Sequence, residues 1–137
     1  MAVWHKNKTF ATLLALLLGG VGAHRFYLKG PLDRLGLLHL GSLPMSAALW
    51  AVVQPHPFYV ALPILLSYVA GFIEGLVIGL TPDDAWDAQY NPGSGKSSRS
   101  NWMLALLLVL TVGVGAVALI GTIARVFDLL YTGGAYG

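Results

Sequence analysis

No cysteine occurs in this chain, which excludes disulfides, thiolate metal sites and cysteine nucleophiles and leaves the redox compartment open. Charge is scarce as well. Asp, Glu, Lys and Arg make up 10% of the 137 residues, against roughly 25% in a soluble domain. A net charge of +2 is too small to argue for nucleic acid, because a few Lys and Arg beside lipid headgroups are ordinary. Catalytic constellations are missing too. Ser, His and Asp occur without a nucleophile elbow. Gly95-Lys96-Ser97 has the ending of a phosphate-binding loop, but Tyr90 stands where that motif requires Gly. The histidines, His5, His24, His39 and His56, show no i, i+4 ligand pair. His39, near Ser42 in an apolar segment, reads as a buried polar contact. No enzyme, cofactor or metal site is expected.

What is present is hydrophobic. Apolar residues make up 56% of the chain, and the mean hydropathy is +0.70. Runs of about 20 apolar residues mark membrane spans. The composition therefore predicts an all-α integral membrane protein with about four transmembrane helices. Three spans, at about 10–28, 35–53 and 58–80, belong to a membrane domain over residues 1–92. A polar linker over 93–101 leads to an additional helix and short tail over 102–137, and Asn91-Pro92-Gly93-Ser94-Gly95 reads as a flexible turn. His39, Gly41 and Pro44 interrupt the second span, and a proline removes a helix hydrogen bond, so this span is expected to be kinked or broken. Lys6 and Lys8 ahead of an apolar core, with Val21-Gly22-Ala23 behind it, also permit a signal-peptide reading. The spans are counted with that segment retained.

Small residues recur every fourth position at Ala11, Ala15, Gly19 and Ala23, and again at Ser67, Gly71, Gly75 and Gly79. Such stripes let two backbones approach closely, which predicts packing of the first span on the third. Glu74 is the only acid inside a span. An intramembrane carboxylate is either a functional group or one half of a structural pair. If the first and third spans run parallel, Arg25 and Glu74 lie within a long side chain's reach in depth, at ~1.5 Å rise per residue. The two are expected to form a clasp. Asp83, Asp84 and Asp87 offer weak cation binding, or a cap from Asp83 or Asp84 on a short interfacial helix holding Trp86 and Tyr90.

Leu18-Gly19-Gly20-Val21-Gly22-Ala23-His24-Arg25-Phe26-Tyr27-Leu28 resembles the signature of the TM-two (two-transmembrane) domain family. A second block agrees: Phe72-Ile73-Glu74-Gly75, then Leu80-Thr81-Pro82-Asp83-Asp84-Ala85-Trp86-Asp87, then Tyr90-Asn91. The resemblance covers roughly residues 6 to 91. It departs at Lys29, where the family usually has Gly, and in a longer stretch between the blocks. It implies a bacterial-type member in the inner (cytoplasmic) membrane, with His24, Arg25, Phe26, Tyr27, Glu74 and Asn91 as motif residues to examine.

Two functional classes follow. One is an interaction or assembly module among membrane lipids, as a homo-oligomer or with other membrane subunits. The other is an oligomeric transporter or proton or ion pathway that uses Glu74. With four spans, Arg25, Lys29, Arg34, Lys96 and Arg99 share one face, and Lys6, Lys8 and Arg125 the other. The excess of Lys and Arg on cytoplasmic loops then puts loops 29–34 and 81–101 in the cytoplasm and both termini outside.

Overall fold

The structure, a computed structural model that describes residues 4–136, is built of helices and their connections within those residues. Asn7 starts α1 (Lys8–Leu18) by accepting a bond from the Phe10 amide at 3.0 Å. A single tight turn, Gly19–Val21, leads to the short α2 (Ala23–Lys29). Asp33 caps α3 (Arg34–Ala48) from the Gly36 amide at 2.8 Å, and a wider π turn extends that helix over Leu49–Val53. Then come α4 (Pro57–Leu80), α5 (Asp83–Tyr90) and α6 (Trp102–Thr132), the last capped by Asn101. Three helices are long and apolar enough to cross a membrane: Arg34–Val53, Pro57–Leu80 and Trp102–Thr132. At 1.5 Å per residue they measure about 30, 36 and 46 Å, against a hydrocarbon core of about 30 Å.

The first apolar segment behaves differently. Its two ends meet. Lys6 Nζ donates to the Leu28 carbonyl, the Asn7 amide donates to Tyr27 Oη at 2.8 Å, and Phe10 meets Tyr27 edge to face at 5.2 Å between centroids. The chain therefore enters along α1, reverses at Gly19–Gly22 and returns along α2. Gly22 makes the reversal: its φ of 74° lies in the left-handed region, and a side chain there would meet the Gly36 carbonyl oxygen at 2.8 Å. The expectation of one span over about 10–28 is corrected here, as is the parallel course assumed for the first and third spans. Hydrophobicity carries no mark of direction, so a hairpin and a span share one signal.

Irregular backbone at membrane depth is tolerated only where protein satisfies its polar groups. Here the Gly20 carbonyl accepts from Ser67 Oγ at 2.7 Å, and the Leu17 carbonyl from Tyr68 Oη at 3.3 Å. α1 lies antiparallel on α4. Lys8 Nζ reaches the Thr81 carbonyl at 2.8 Å, Ala15 lies on Gly75, and Gly19 lies on Gly71 so closely that a Cβ on Gly71 would stand 2.8 Å from the Gly19 backbone. Ala23, predicted on the same stripe, falls beyond the reversal in α2. α6 covers the other face of α4, with Gly115 under Phe72 and Leu108 over Gly79.

The second span, expected to be kinked or broken, departs from a regular α-helix elsewhere than at Pro44. α3 runs through Pro44 without a break, and its widening comes at Leu49–Val53, where the Gln54 amide bonds the Leu49 carbonyl at 2.9 Å. α5 does form, but Pro82 holds its cap position and Asp83 and Asp84 sit in its first turn. A carboxylate there still faces the positive end of the helix dipole.

Candidate functional site

Glu74 of α4 is the meeting point of three helices. Arg25 of α2 grips it through Nε, 3.0 Å from Oε1 and 2.9 Å from Oε2, and through Nη2, 2.6 Å from Oε1. His24 Nε2 lies 2.5 Å from Oε2, and His39 Nε2 of α3 lies 3.5 Å from the same oxygen. Arg25 also approaches Asp33 at 3.6 Å. His24 is 1% exposed and His39 7%, so the cluster is sealed from one side. The reversal at Gly22 places His24 and Arg25 there, because α2 turns back toward the start of α1 and brings both side chains to Glu74.

His39 is held by a chain of bonds. Its Nδ1 lies 2.7 Å from Ser67 Oγ, and Ser67 in turn bonds the Gly20 carbonyl. Ser42 also approaches that carbonyl, at 3.5 Å, but the bond from Ser67 is much shorter at 2.7 Å; with its proton on Gly20, Ser67 accepts from His39 Nδ1–H. The side of His39 that faces Glu74 is then Nε2. In His24 the nitrogen that faces away from Glu74, Nδ1, is buried without a hydrogen-bond partner.

Two cavities adjoin the cluster. One, of about 620 Å³, opens between α3 and α4; its walls are leucines and Met45, and its polar floor is His39, Ser42, Ser67 and Glu74. The other, of about 260 Å³, is lined by His24, Arg25, Glu74 and Tyr90. Glu74 lines both. Gly19, Gly71, Gly75 and Gly79, singled out in the sequence, form the α1–α4–α6 contact and do not touch this cluster. Phe26 covers Gly36 of α3, and Tyr27 ties α2 to Asn7.

A second polar cluster ties the chain's beginning to α5. Asn91, 3% exposed, reads the Lys6 backbone with both ends of its amide: Oδ1 accepts from the Lys6 N–H at 2.6 Å and Nδ2 donates to its carbonyl at 3.1 Å. Trp86 Nε1 donates to the same carbonyl at 3.1 Å. Lys8 pairs with Asp83. The aspartates hold the linker as well: Ser98 binds Asp87 and Ser100 binds Asp83, each through amide and hydroxyl. The Ser98 hydroxyl, then Asn91 and the Ser98 amide, hold the Asp87 carboxyl down at about 2. Lys8 and then Ser100 lower that of Asp83. These acids bind the linker at Ser98 and Ser100, beyond the turn at Asn91–Gly95, and strap it to α5.

The comparisons with known proteins bear on the first half of this architecture. Residues 5–54 match the family model described as the TM2 domain. These residues are similar to a TM2 domain. The match spans α1 through the π turn at the end of α3. With three helices of spanning length, it makes the chain an integral membrane protein. The second motif block, from Phe72 to Asn91, lies beyond the matched residues. It joins the TM2 domain through Glu74 to Arg25 and Asn91 to Lys6. No curated protein and no solved structure matches the chain.

The sequence pointed to Arg25 and Glu74 together, but it gave no reason to group His24 and His39 with them. Each histidine sits on a different helix, so neither has a partner at helical spacing. The one available signal was the occurrence of both in apolar surroundings.

Proposed function

We propose that this TM2 domain protein is a non-catalytic membrane module that acts by association with further copies or with other membrane subunits. The observation that carries this reading is the engagement of Glu74. Its carboxylate is taken up by Arg25 and His24, so the intramembrane charge fastens the hairpin to α4. Broad apolar faces on α3 and α6 are left outward, among them Leu38, Trp50 and Val52, and Val109, Val117 and Ile120. These faces contact lipid or another helix. The module sits in a cytoplasmic membrane with α3, α4 and α6 as its crossings.

The test uses the absence of cysteine. A Lys96→Cys variant labelled with donor or acceptor dye is reconstituted in liposomes. Energy transfer that persists as lipid is added, beyond chance proximity, supports self-association. Transfer that falls to the chance level, together with a monomeric mass in native membranes, overturns the module reading.

A second reading has its own observation: Glu74 forms a common wall of both cavities. A proton or ion pathway would use that position. It requires Glu74-dependent flux in liposomes, which the module reading does not produce.

A further inference from the structure

His24, His39 and Glu74 present ligand atoms that all lie within 4.8 Å of one another. They come from α2, α3 and α4, so the reversal at Gly22 and the packing of both spans are needed to assemble them. Two imidazoles and one carboxylate form the donor set of metal sites that retain an open coordination position. We propose that these three residues bind a divalent transition metal of the zinc class.

Proton positions decide which ring nitrogens are free to bind. Ser67 donates to Gly20 and accepts from His39 Nδ1–H, so neutral His39 turns a bare Nε2 lone pair toward Glu74. That nitrogen faces Oε2 at 3.5 Å, one acceptor against another. Arg25 Nε and His24 already stand beside Oε2, whereas the His39 lone pair has no donor of its own, and a bound cation would supply its partner. The separation also fits the edge of a tetrahedral site, about 3.4 Å for bonds of about 2.1 Å. His24 Nε2 stands at hydrogen-bond distance from Oε2, 2.5 Å, and must back away by about 1 Å to share a metal at that bond length. For this, its ring proton moves to Nδ1, the buried nitrogen that has no partner.

The surroundings suit such an ion. Metal-binding imidazoles commonly donate their second N–H to a fixed acceptor, and metal-binding carboxylates are themselves hydrogen-bonded. His39 has Ser67. Arg25 bonds both oxygens of Glu74, Oε1 through Nε and Nη2 and Oε2 through Nε at 2.9 Å, and Oε2 also faces both histidines. Arg25 is a competing cation, but Asp33 at 3.6 Å offsets it, so the cluster with neutral imidazoles carries a net negative charge. The two adjoining cavities supply approach routes and room for a water at the open position. The rival occupant is a proton that makes His39 an imidazolium.

The metal-stripped protein in lipid nanodiscs, titrated with Co²⁺, decides between them. A metal site gives visible absorption saturating at one ion per chain, abolished by added Zn²⁺. His24→Ala and His39→Ala each weaken binding at least ~100-fold. Ser67→Ala, which leaves all three ligands in place, weakens it about 10- to 100-fold. His56→Asn, at the loop before α4, leaves it unchanged. Absence of the spectrum in the folded wild-type chain overturns the site whether or not any variant folds. So does a Co²⁺ spectrum that survives in the His24→Ala/His39→Ala double variant.

Discussion

Arg25 and Glu74 stand where an unpaired charge is expensive, and each is the other's principal partner. Removing one member of a buried pair leaves the other uncompensated, at a cost of roughly 3–5 kcal/mol. Arg25→Gln and Glu74→Gln are therefore each expected to lower stability by about 3 kcal/mol, measured by equilibrium unfolding in bicelles. The exchange Arg25→Glu with Glu74→Arg should recover part of that loss. Single variants that unfold at the wild-type denaturant concentration would remove the clasp from the account. This pair was legible in the sequence from depth alone, because each residue lies a short way inside the end of its apolar segment. The reason behind it was not legible. The helix that runs parallel to α4 is α2, seven residues long, while α1 runs against it.

At the scale of elements, the end of α1 meets α4 backbone on backbone. Gly19 and Gly71 meet without room for a methyl group, since a Cβ on Gly71 would come within 2.8 Å of Gly19 Cα and carbonyl carbon. Forcing extra volume into a packed contact costs typically 1–3 kcal/mol. Gly71→Ala should show that loss in the same unfolding measurement. Gly113→Ala, on α6 where a Cβ meets nothing within 4 Å, should be neutral or slightly stabilising through helix propensity. Equal effects at the two positions would mean that helix propensity, not the α1–α4 contact, sets the outcome. The four-residue spacing of small residues made this face legible. Its interruption at Gly22 was not, because a left-handed glycine and a packing glycine look identical as letters. Pro44 shows the converse. It looked like a breaker, yet α3 continues through it, since its fixed φ is compatible with a helix and a single missing bond can be absorbed. The histidines follow the same rule: only the tertiary fold puts His24 and His39 on one carboxylate.

For the whole molecule, the returning hairpin changes the arithmetic of topology. Lys8 bonds the Thr81 carbonyl and Lys6 bonds the Leu28 carbonyl. The beginning of the described chain therefore shares a face with loops 29–34 and 81–101. The expectation that Lys6 and Lys8 lie opposite those loops does not fit these contacts. Seven of the 8 Lys and Arg residues then gather at one face: Lys6, Lys8, Arg25, Lys29, Arg34, Lys96 and Arg99. Arg125 alone stands toward the far end of α6. Cytoplasmic loops carry the excess of Lys and Arg, so with α3, α4 and α6 crossing, the chain's beginning and both loops are expected in the cytoplasm and the tail after Thr132 outside. Cysteine variants at Lys29, Lys96 and Tyr136, made one at a time in a chain that has no other cysteine, test this with a membrane-impermeant maleimide on intact cells. Tyr136→Cys should label without lysis, whereas Lys29→Cys and Lys96→Cys should label only after it. Labelling of all three from the same side would require an even number of crossings between Lys96 and Tyr136, which a single α6 cannot supply. The reverse pattern would keep the three crossings and invert the orientation, against the charge bias that the hairpin creates.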